Sequence, residues 1–595
     1  MRTLEEMQTL LRAGLGKEPC DAVLRRVRLV NVFSRQVYET DLWIKGRRIV
    51  SICPDAGLTA LHEIPCEGLT ALPGLIDSHM HFESTMLSPE ALADIIVPKG
   101  TTTVCADLME IANVAGERGV SCMLERMQNL PYRMLLQVSS RVPTAPGLET
   151  TGATLGVQEV TRLLELEQSV SLGEMDPSKI LLEQPEYLEK IRRALSMRKI
   201  ANGHAIGRTG QELNVYSSSG ISDDHECVTR EEMLERLQLG MYVLVREGST
   251  ERNLEELIRG VLAMGLSCEN LCFCTDDKHI DVIESEGHIN YNVNKAVRLG
   301  LPVMDAVCMA TVNAAKHFRV EEEIGSLTPG RLADIVLCRS LDDIQPEKVF
   351  FEGRLVWDSG APAPRTPVRE YPEWIRHTVR LLKPAAPEQF AVRAPGPSAS
   401  VCLIDLIPLQ IINRRAAAEL PVCGGLVSCD AARDIAKIAV VERYGKNGRT
   451  GIGFLRGFTL RRGAMAYSMS HDHHNIVTVG VDDADMALCV NEVAAMQGGL
   501  AVVIGGRLIA SMALPIGGLM SERSAPEVRS QLAAMNAAAR ETGCTLPAPF
   551  MTLSFVSLPT VPELGLTDLG LIDVNRHCLV PLLLEPSGEL KGAQP

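Results

Sequence analysis

Apolar and polar positions follow two rhythms along this chain, and the changeovers mark its organisation. Between residues 21 and 73, short β-like runs at 22–27, 29–33, 40–45 and 48–53 are punctuated by charges and breakers, which predicts a small β-sandwich. Similar runs return at 324–337 and 348–357, so two β-rich flanks are expected to pair around a central segment. In that centre, short apolar runs alternate with longer helical patterns such as 231–239 and 254–264. The alternation predicts parallel strands with crossover helices, and a length of about 245 residues suits eight β/α units. The predicted class is α/β: a (β/α)8 TIM barrel with a flanking small β-sandwich domain and an additional C-terminal α+β domain.

The expected divisions follow from those rhythms. Residues 1–20 form an N-terminal helix, with apolar positions at Leu4, Met7, Leu10 and Leu11. Residues 21–73 and 320–382 make the composite β-domain, and 74–319 the barrel. A Pro/Ala-rich stretch, 383–400, reads as a linker to the C-terminal domain, 401–595, where 401–412 and 435–443 are β-like.

Candidate chemistry sits at the ends of the central apolar runs. Pro73-Gly74-Leu75-Ile76-Asp77-Ser78-His79-Met80-His81 places two imidazoles at i and i+2, which on a strand share one face. No further histidine occurs until His204, and His225 follows it. Glu174 and Asp276 each close another apolar run. In barrels of this kind chemistry gathers at the C-terminal strand ends, where all six groups fall. Four imidazoles and two carboxylates exceed the needs of one metal. A bridging Glu174 between two divalent ions accounts for them, with His79 and His81 on one ion and His204 and His225 on the other. Asp276 completes the first site. Such a pair lowers the pKa of bound water to roughly 7, and Asp276 can relay its proton to a leaving group. The predicted reaction is hydrolytic attack on an electrophilic sp² carbon.

Charge and composition narrow the class. The 595 residues carry a formal net charge of -15, which argues against nucleic acid as a partner. No run approaches the 18 apolar residues of a membrane span, and the N-terminus has no uninterrupted signal-peptide core. Seventeen cysteines, scattered through apolar runs, read as buried free thiols in a reducing cytoplasm. A homo-oligomer, a dimer, is expected. Other motifs carry less. Gly451–Gly457 misses the dinucleotide spacing and reads as β structure, and His81-Phe82-Glu83 is followed by no P-C-x-x-C, which excludes the cytidine-type zinc deaminase. His279 and His288 read as loop or supporting groups. The cluster His471, Asp472, His473, His474 is open to three readings: a turn, a contact with the barrel mouth, or a further metal site.

The motif PGLIDSHMHFESTM resembles the first-strand motif of the amidohydrolase superfamily, and its H-F-E-S-T-M continuation is similar to the adenine deaminase branch. So are ADLMEIANVAG (106–116), SDDHECVT (222–229), CTDDKH (274–279) and EGHIN (286–290). The tail agrees further at GRTGIGFLRGF (448–458), SHDHHN (470–475), LPIGGLMS (514–521), PFMTLSF (549–555) and PELGLTDLGLIDV (562–574). The resemblance implies a metal-dependent barrel that deaminates adenine to hypoxanthine and ammonia, with Mn or Fe as the metal and Zn an alternative. It implies Glu174 in the place of a carboxylated lysine, and a small-molecule purine bound or protonated by Glu83 and Glu110. Three positions depart from the family pattern. Met109 stands where the branch has histidine, Arg141 where it has cysteine, and Ile206 where it has proline. Arg141 brings a cation toward the pocket, where it can pair with a substituent that adenine lacks. Another 6-substituted purine or a cyclic amide is therefore an alternative substrate, and a non-catalytic scaffold a minor alternative.

Overall fold

The computed structural model describes residues 2–54, 56–362, 365–407, 412–560 and 563–584. Eight parallel strands line the central segment: β1 (Leu75–Met80), β2 (Thr101–Asp107), β3 (Arg133–Val138), β4 (Ser169–Met175), β5 (Ile200–Gly203), β6 (Asp223–Asp224), β7 (Tyr242–Arg246) and β8 (Leu271–Cys274). Neighbours pair in parallel within two arcs, β1 to β5 and β6 to β8. Two parallel bridges, Ala201 to Ile221 and Met80 to Asp276, join the arcs into a ring. Helices separate successive strands, as the alternation predicts. The helix Arg230–Gln238 starts on a Thr229/Glu232 capping box, and Leu254–Met264 stops at Gly265, whose φ of 61° suits glycine.

Covered on both faces, these strands are almost wholly buried, which explains their unbroken apolar runs. Ile76, Cys105, Leu135, Val170, Ile200, Leu244 and Cys272, one from nearly every strand, meet in one cluster with Ala314, Ala315 and Phe318. That packing makes the barrel interior a core rather than a pore and leaves the opposite end for chemistry.

The two β-rich flanks do pair. Ile335–Cys338 runs antiparallel to Thr70–Pro73, which lies parallel to Cys20–Asn31, and together they join one eight-stranded sheet. Leu24, Leu29, Leu42, Ile44, Ala71, Ile335 and Phe350 share a core on it. The runs at 22–27 and 29–33 prove to be one strand with a bulge at Arg26. Its φ is 50°, and its N–H and the Arg25 guanidinium both bind Asp41.

The C-terminal domain is built on a nine-stranded sheet with helices Asp483–Ala495, Ala525–Glu541 and Pro549–Val556. Strands Ser398–Leu406 and Ile435–Val441 occupy the expected β-like runs, of which 408–411 lie outside the described residues. Gly451 and Gly453 lie inside the strand Thr450–Arg456. The stretch read as a linker is packed rather than free. Pro387–Phe390 forms a 3-10 turn, Phe390 is fully buried, and Ala385 exchanges two hydrogen bonds with Asn491. Its prolines suit a fixed strap as well as a spacer, and only the partner helix distinguishes the two.

This domain sits on the barrel rim. Asn475 Nδ2 donates to the Thr150 carbonyl (2.8 Å), Thr150 N–H donates to Asp568 (3.0 Å), and Ser521 N–H donates to the Met86 carbonyl (2.9 Å). Lys446 Nζ donates to the Thr151 carbonyl (2.6 Å). The tail thereby roofs the strand ends that carry the candidate ligands.

Candidate active site

His79 is the last residue but one of β1, His81 follows the strand, and Glu174 lies near the end of β4. Both Nε2 atoms are 3.0 Å from Glu174 Oε1. The approach of β4 to β2 depends on Gly173, where a Cβ would stand 2.0 Å from Asp107 Oδ2. Gly203 does the same before His204, since a Cβ there would meet the Asp223 carbonyl oxygen at 2.1 Å. Asp276 reaches the group through the barrel seam. Its N–H donates to the His79 carbonyl (3.0 Å), and His81 N–H donates to the Asp276 carbonyl (3.3 Å). A φ of 57° lets Asp276 turn there, a conformation aspartate tolerates better than most residues.

Two donor groups share Glu174. The first is His79, His81, Glu174 and Asp276; the second is Glu174, His204 and His225. Asp276 Oδ1 lies 3.6 and 3.7 Å from the Nε2 atoms of His79 and His81. His225 Nε2 is 3.3 Å from Glu174 Oε1, and His204 Nδ1 is 3.7 Å from Glu174 Oε2. Ligand atoms about 2.1 Å from one ion and at ordinary coordination angles stand about 3.0–3.4 Å apart. The contacts of His79, His81 and His225 with Glu174 Oε1, at 3.0–3.3 Å, match such edges, while those of Asp276 and His204, at 3.6–3.7 Å, are somewhat longer; the imidazole–carboxylate set suits divalent cations.

Supporting contacts orient the rings. His79 Nδ1 donates to Gln137 Oε1 (2.6 Å), and Gln137 Nε2 donates to the Ser78 carbonyl (3.0 Å). His81 Nδ1 faces the Asp107 carbonyl and Glu110 Oε2, both at 3.2 Å. Each ring thus presents Nε2 inward, as metal-binding histidines require.

Electrostatics agrees with that arrangement. Burial works to raise the Glu174 carboxyl, but Arg141, His204 and His81 hold it well below its ordinary value. Asp276 is likewise depressed against burial, by His79 and Arg246. Asp277 is pushed well above the carboxylate range by burial and by Asp276 beside it. The two adjacent aspartates therefore differ: the surroundings favour the ionised form of Asp276 and the protonated form of Asp277.

A small cavity of about 40 Å³ adjoins the group, walled by His81, Met109, Glu110, Arg141, Asp276, Asp277, His471, Asp472, Phe555 and Leu558 among others. It shares Glu226, Arg246 and Glu251 with a larger outer cavity of about 840 Å³. Of the polar groups read from the sequence, Glu110 and Arg141 are on the inner wall. Glu83 is not: its Oε1 accepts the Ile111 N–H (3.3 Å), and burial and Glu110 raise its carboxyl well above the usual range. His288 is set back too, between Thr101 (2.9 Å) and Asp77 (3.3 Å). His279 precedes the helix Ile280–Glu286.

Several groups at this site were not singled out from the sequence. Arg246 Nη1 donates to both Glu226 Oε1 (2.8 Å) and Asp276 Oδ2 (2.7 Å), and His225 Nε2 is 3.3 Å from Glu226 Oε1. Glu226 follows His225 directly, so the acid run Asp223-Asp224-His225-Glu226 carried the available signal. Phe555 closes the motif PFMTLSF, while Gln137 and Leu558 offered no signal.

The chain matches the amidohydrolase family over residues 70–356 and the adenine deaminase C-terminal domain over 410–578. An adenine deaminase of Desulforamulus reducens is 52% identical over 97% of this chain and 98% of its own length. The chain belongs to the adenine deaminase family. Adenine deaminase of Moorella thermoacetica and adenine deaminase 2 of Carboxydothermus hydrogenoformans are 36% and 38% identical, covering 97% and 98% of this chain and 98% and 100% of their own.

Within this adenine deaminase family member, Arg141 is partly committed to its neighbours. Its Nη2 donates to Glu174 Oε2, and its Nη1 lies 3.8 Å from Asp472 Oδ2. Met109 contributes an apolar patch to the cavity wall. His471 and Asp472 also line that wall, and His471 stacks on Phe555 with ring centres 4.9 Å apart. The cluster 471–474 thus reaches the barrel mouth.

Proposed function

We propose that this chain hydrolyses adenine to hypoxanthine and ammonia. The observation that supports it best is the meeting of two donor groups on Glu174, in a chain similar over nearly its whole length to adenine deaminases. His79, His81, Glu174 and Asp276 would hold one divalent ion, and Glu174, His204 and His225 the other, with Mn²⁺ or Fe²⁺ as the working metals and Zn²⁺ as a substitute. When bound, the ions supply water activated for attack on an electrophilic carbon at neutral pH.

The chain's own residues do the rest. Asp276, ionised beside Arg246, accepts a proton at Oδ1 and returns it to the departing amine. Asp277, on the wall and in surroundings that favour its protonated form, donates a hydrogen bond to a ring nitrogen, and Glu110, on the same wall, orients the purine. Phe555, Leu558 and Met109 supply apolar surface for a flat ring. Arg141 neutralises the Glu174 carboxylate. Its Nε and Nη1 have no hydrogen-bond partner, which favours a second reading in which they hold an acceptor on another 6-substituted purine or a cyclic amide.

Ammonia release from a purine panel, after loading with Mn²⁺ or Fe²⁺, tests both. Release from adenine is expected; release only from other purines would select the second reading. Absence of turnover in fully loaded protein would leave a scaffold.

Two further features bear on its setting. No described helix is long and apolar enough to cross a membrane, and all seventeen cysteines are free, which suits the reducing cytoplasm as its compartment. The helix Leu4–Gly14 leaves Leu4 and Leu11 exposed by 71% and 64%, and this unpartnered apolar stripe supports assembly as a dimer. Light scattering of wild type and Leu11→Glu checks this: a wild-type monomer refutes it.

A further inference from the structure

We propose that Glu110, His471 and His474 form a third cation site, one that ties the C-terminal domain to the barrel at the catalytic rim. Their ligand atoms all lie within 4.8 Å of one another, and His471 Nδ1 is 3.5 Å from Glu110 Oε1. Glu110 belongs to the barrel, at the start of the helix Met109–Arg126, while both histidines come from the tail. Two imidazoles and one carboxylate from opposite sides of an interface are a common donor set for Zn²⁺ or a similar ion, with water completing the shell.

A second observation points to a ligand. Glu110 and His474 are fully buried and His471 is 2% exposed. Among the described residues, neither ring nitrogen of His474 has a hydrogen-bond partner, nor has Glu110 Oε1. Buried polar atoms are ordinarily satisfied, and an unpartnered carboxylate oxygen beside an imidazole with neither nitrogen paired calls for a common partner, which one His474 nitrogen and Glu110 Oε1 can share. A cation supplies one. The other Glu110 oxygen faces His81 Nδ1 at 3.2 Å, so an ion here would also steady a ligand of the Glu174 centre.

His473 provides an internal control. It is as buried as His474, but its Nδ1 accepts the Asn475 N–H (3.1 Å), and it lies outside the donor group. The count of three ions rests on the two-ion reading of the Glu174 centre, and an ion here would hold Glu110 Oε1 in place of a contact with the purine.

The test is to strip the full-length protein with chelator, load it with Zn²⁺ or Co²⁺, pass it through gel filtration and count retained ions by mass spectrometry. Wild type and His473→Ala should retain three ions per chain, and His474→Ala two. The third equivalent should raise the melting temperature of wild type and leave that of His474→Ala unchanged. Should His474→Ala fail to fold, His474→Gln keeps most of the volume and should also retain two. Saturation of wild type at two ions, equal loss in His473→Ala, or three ions in a folded His474 variant would overturn the proposal.

Discussion

Replacing Asp276 by asparagine isolates the proton-carrying role assigned to it. Asparagine keeps the shape and removes the charge. The barrel seam is preserved, because it uses only the backbone N–H and carbonyl of residue 276. The amide oxygen can still accept from Arg246, now 2.7 Å from Asp276 Oδ2. Three of the four donors in the first group, His79, His81 and Glu174, are untouched. The variant loses the acceptor that takes a proton at Oδ1 and delivers it to ammonia. General acid–base catalysis contributes about 10²–10⁴-fold, equivalent to about 3–5 kcal/mol of barrel-rim transition-state stabilisation. We expect Asp276→Asn to lower kcat by that factor at saturating Mn²⁺, with metal content equal to wild type. Coupled ammonia detection and elemental analysis on the same sample measure both. A kcat within tenfold of wild type at full loading would refute the assignment. Loss of metal in parallel with activity would make Asp276 a ligand first.

Two further outcomes follow from the contacts around His79. Gln137→Leu removes the acceptor for His79 Nδ1 and the donor to the Ser78 carbonyl, and loss of such an outer partner typically costs about 10–100-fold in metal affinity; calorimetric titration should show this, alongside a lower melting temperature from the two buried groups left unpaired. Metal uptake should also depend on pH. In the metal-free chain burial and His225 push the His79 imidazolium toward losing its proton, but Asp276 and Glu174 outweigh them and raise its pKa to about 9. Below that value an ion must displace the proton, so affinity should rise from pH 6 toward 9 with proton release on binding. Titration in buffers of different ionisation enthalpy reads the release; affinity independent of pH would contradict it.

Much of the site was legible as a one-dimensional pattern. The β/α alternation puts the end of every central strand on one rim, so polar groups closing apolar runs were drawn together by topology alone. His79, His81, Glu174, His204, His225 and Asp276 could all be read that way. The flanking strands were legible too, because period-two patterning needs no knowledge of the partner. The packed strap at 383–400 was not, since proline-rich sequence is compatible with a spacer or with a turn buried against a helix.

By itself, then, the amino-acid order determined the barrel, its candidate ligands and their order around the rim, since these depend on local periodicity and on the geometry of parallel strands. Tertiary structure alone decided how the charges are shared. The Arg141–Glu174 and Arg246–Asp276 pairs, the difference between Asp276 and Asp277, and the arrival of His471, Asp472 and Phe555 at the cavity all arise from segments tens to hundreds of residues apart. Such contacts are set by how the strand-end loops converge on the rim, by how the C-terminal domain docks over them and by the desolvation that results, and no spacing along the chain encodes these.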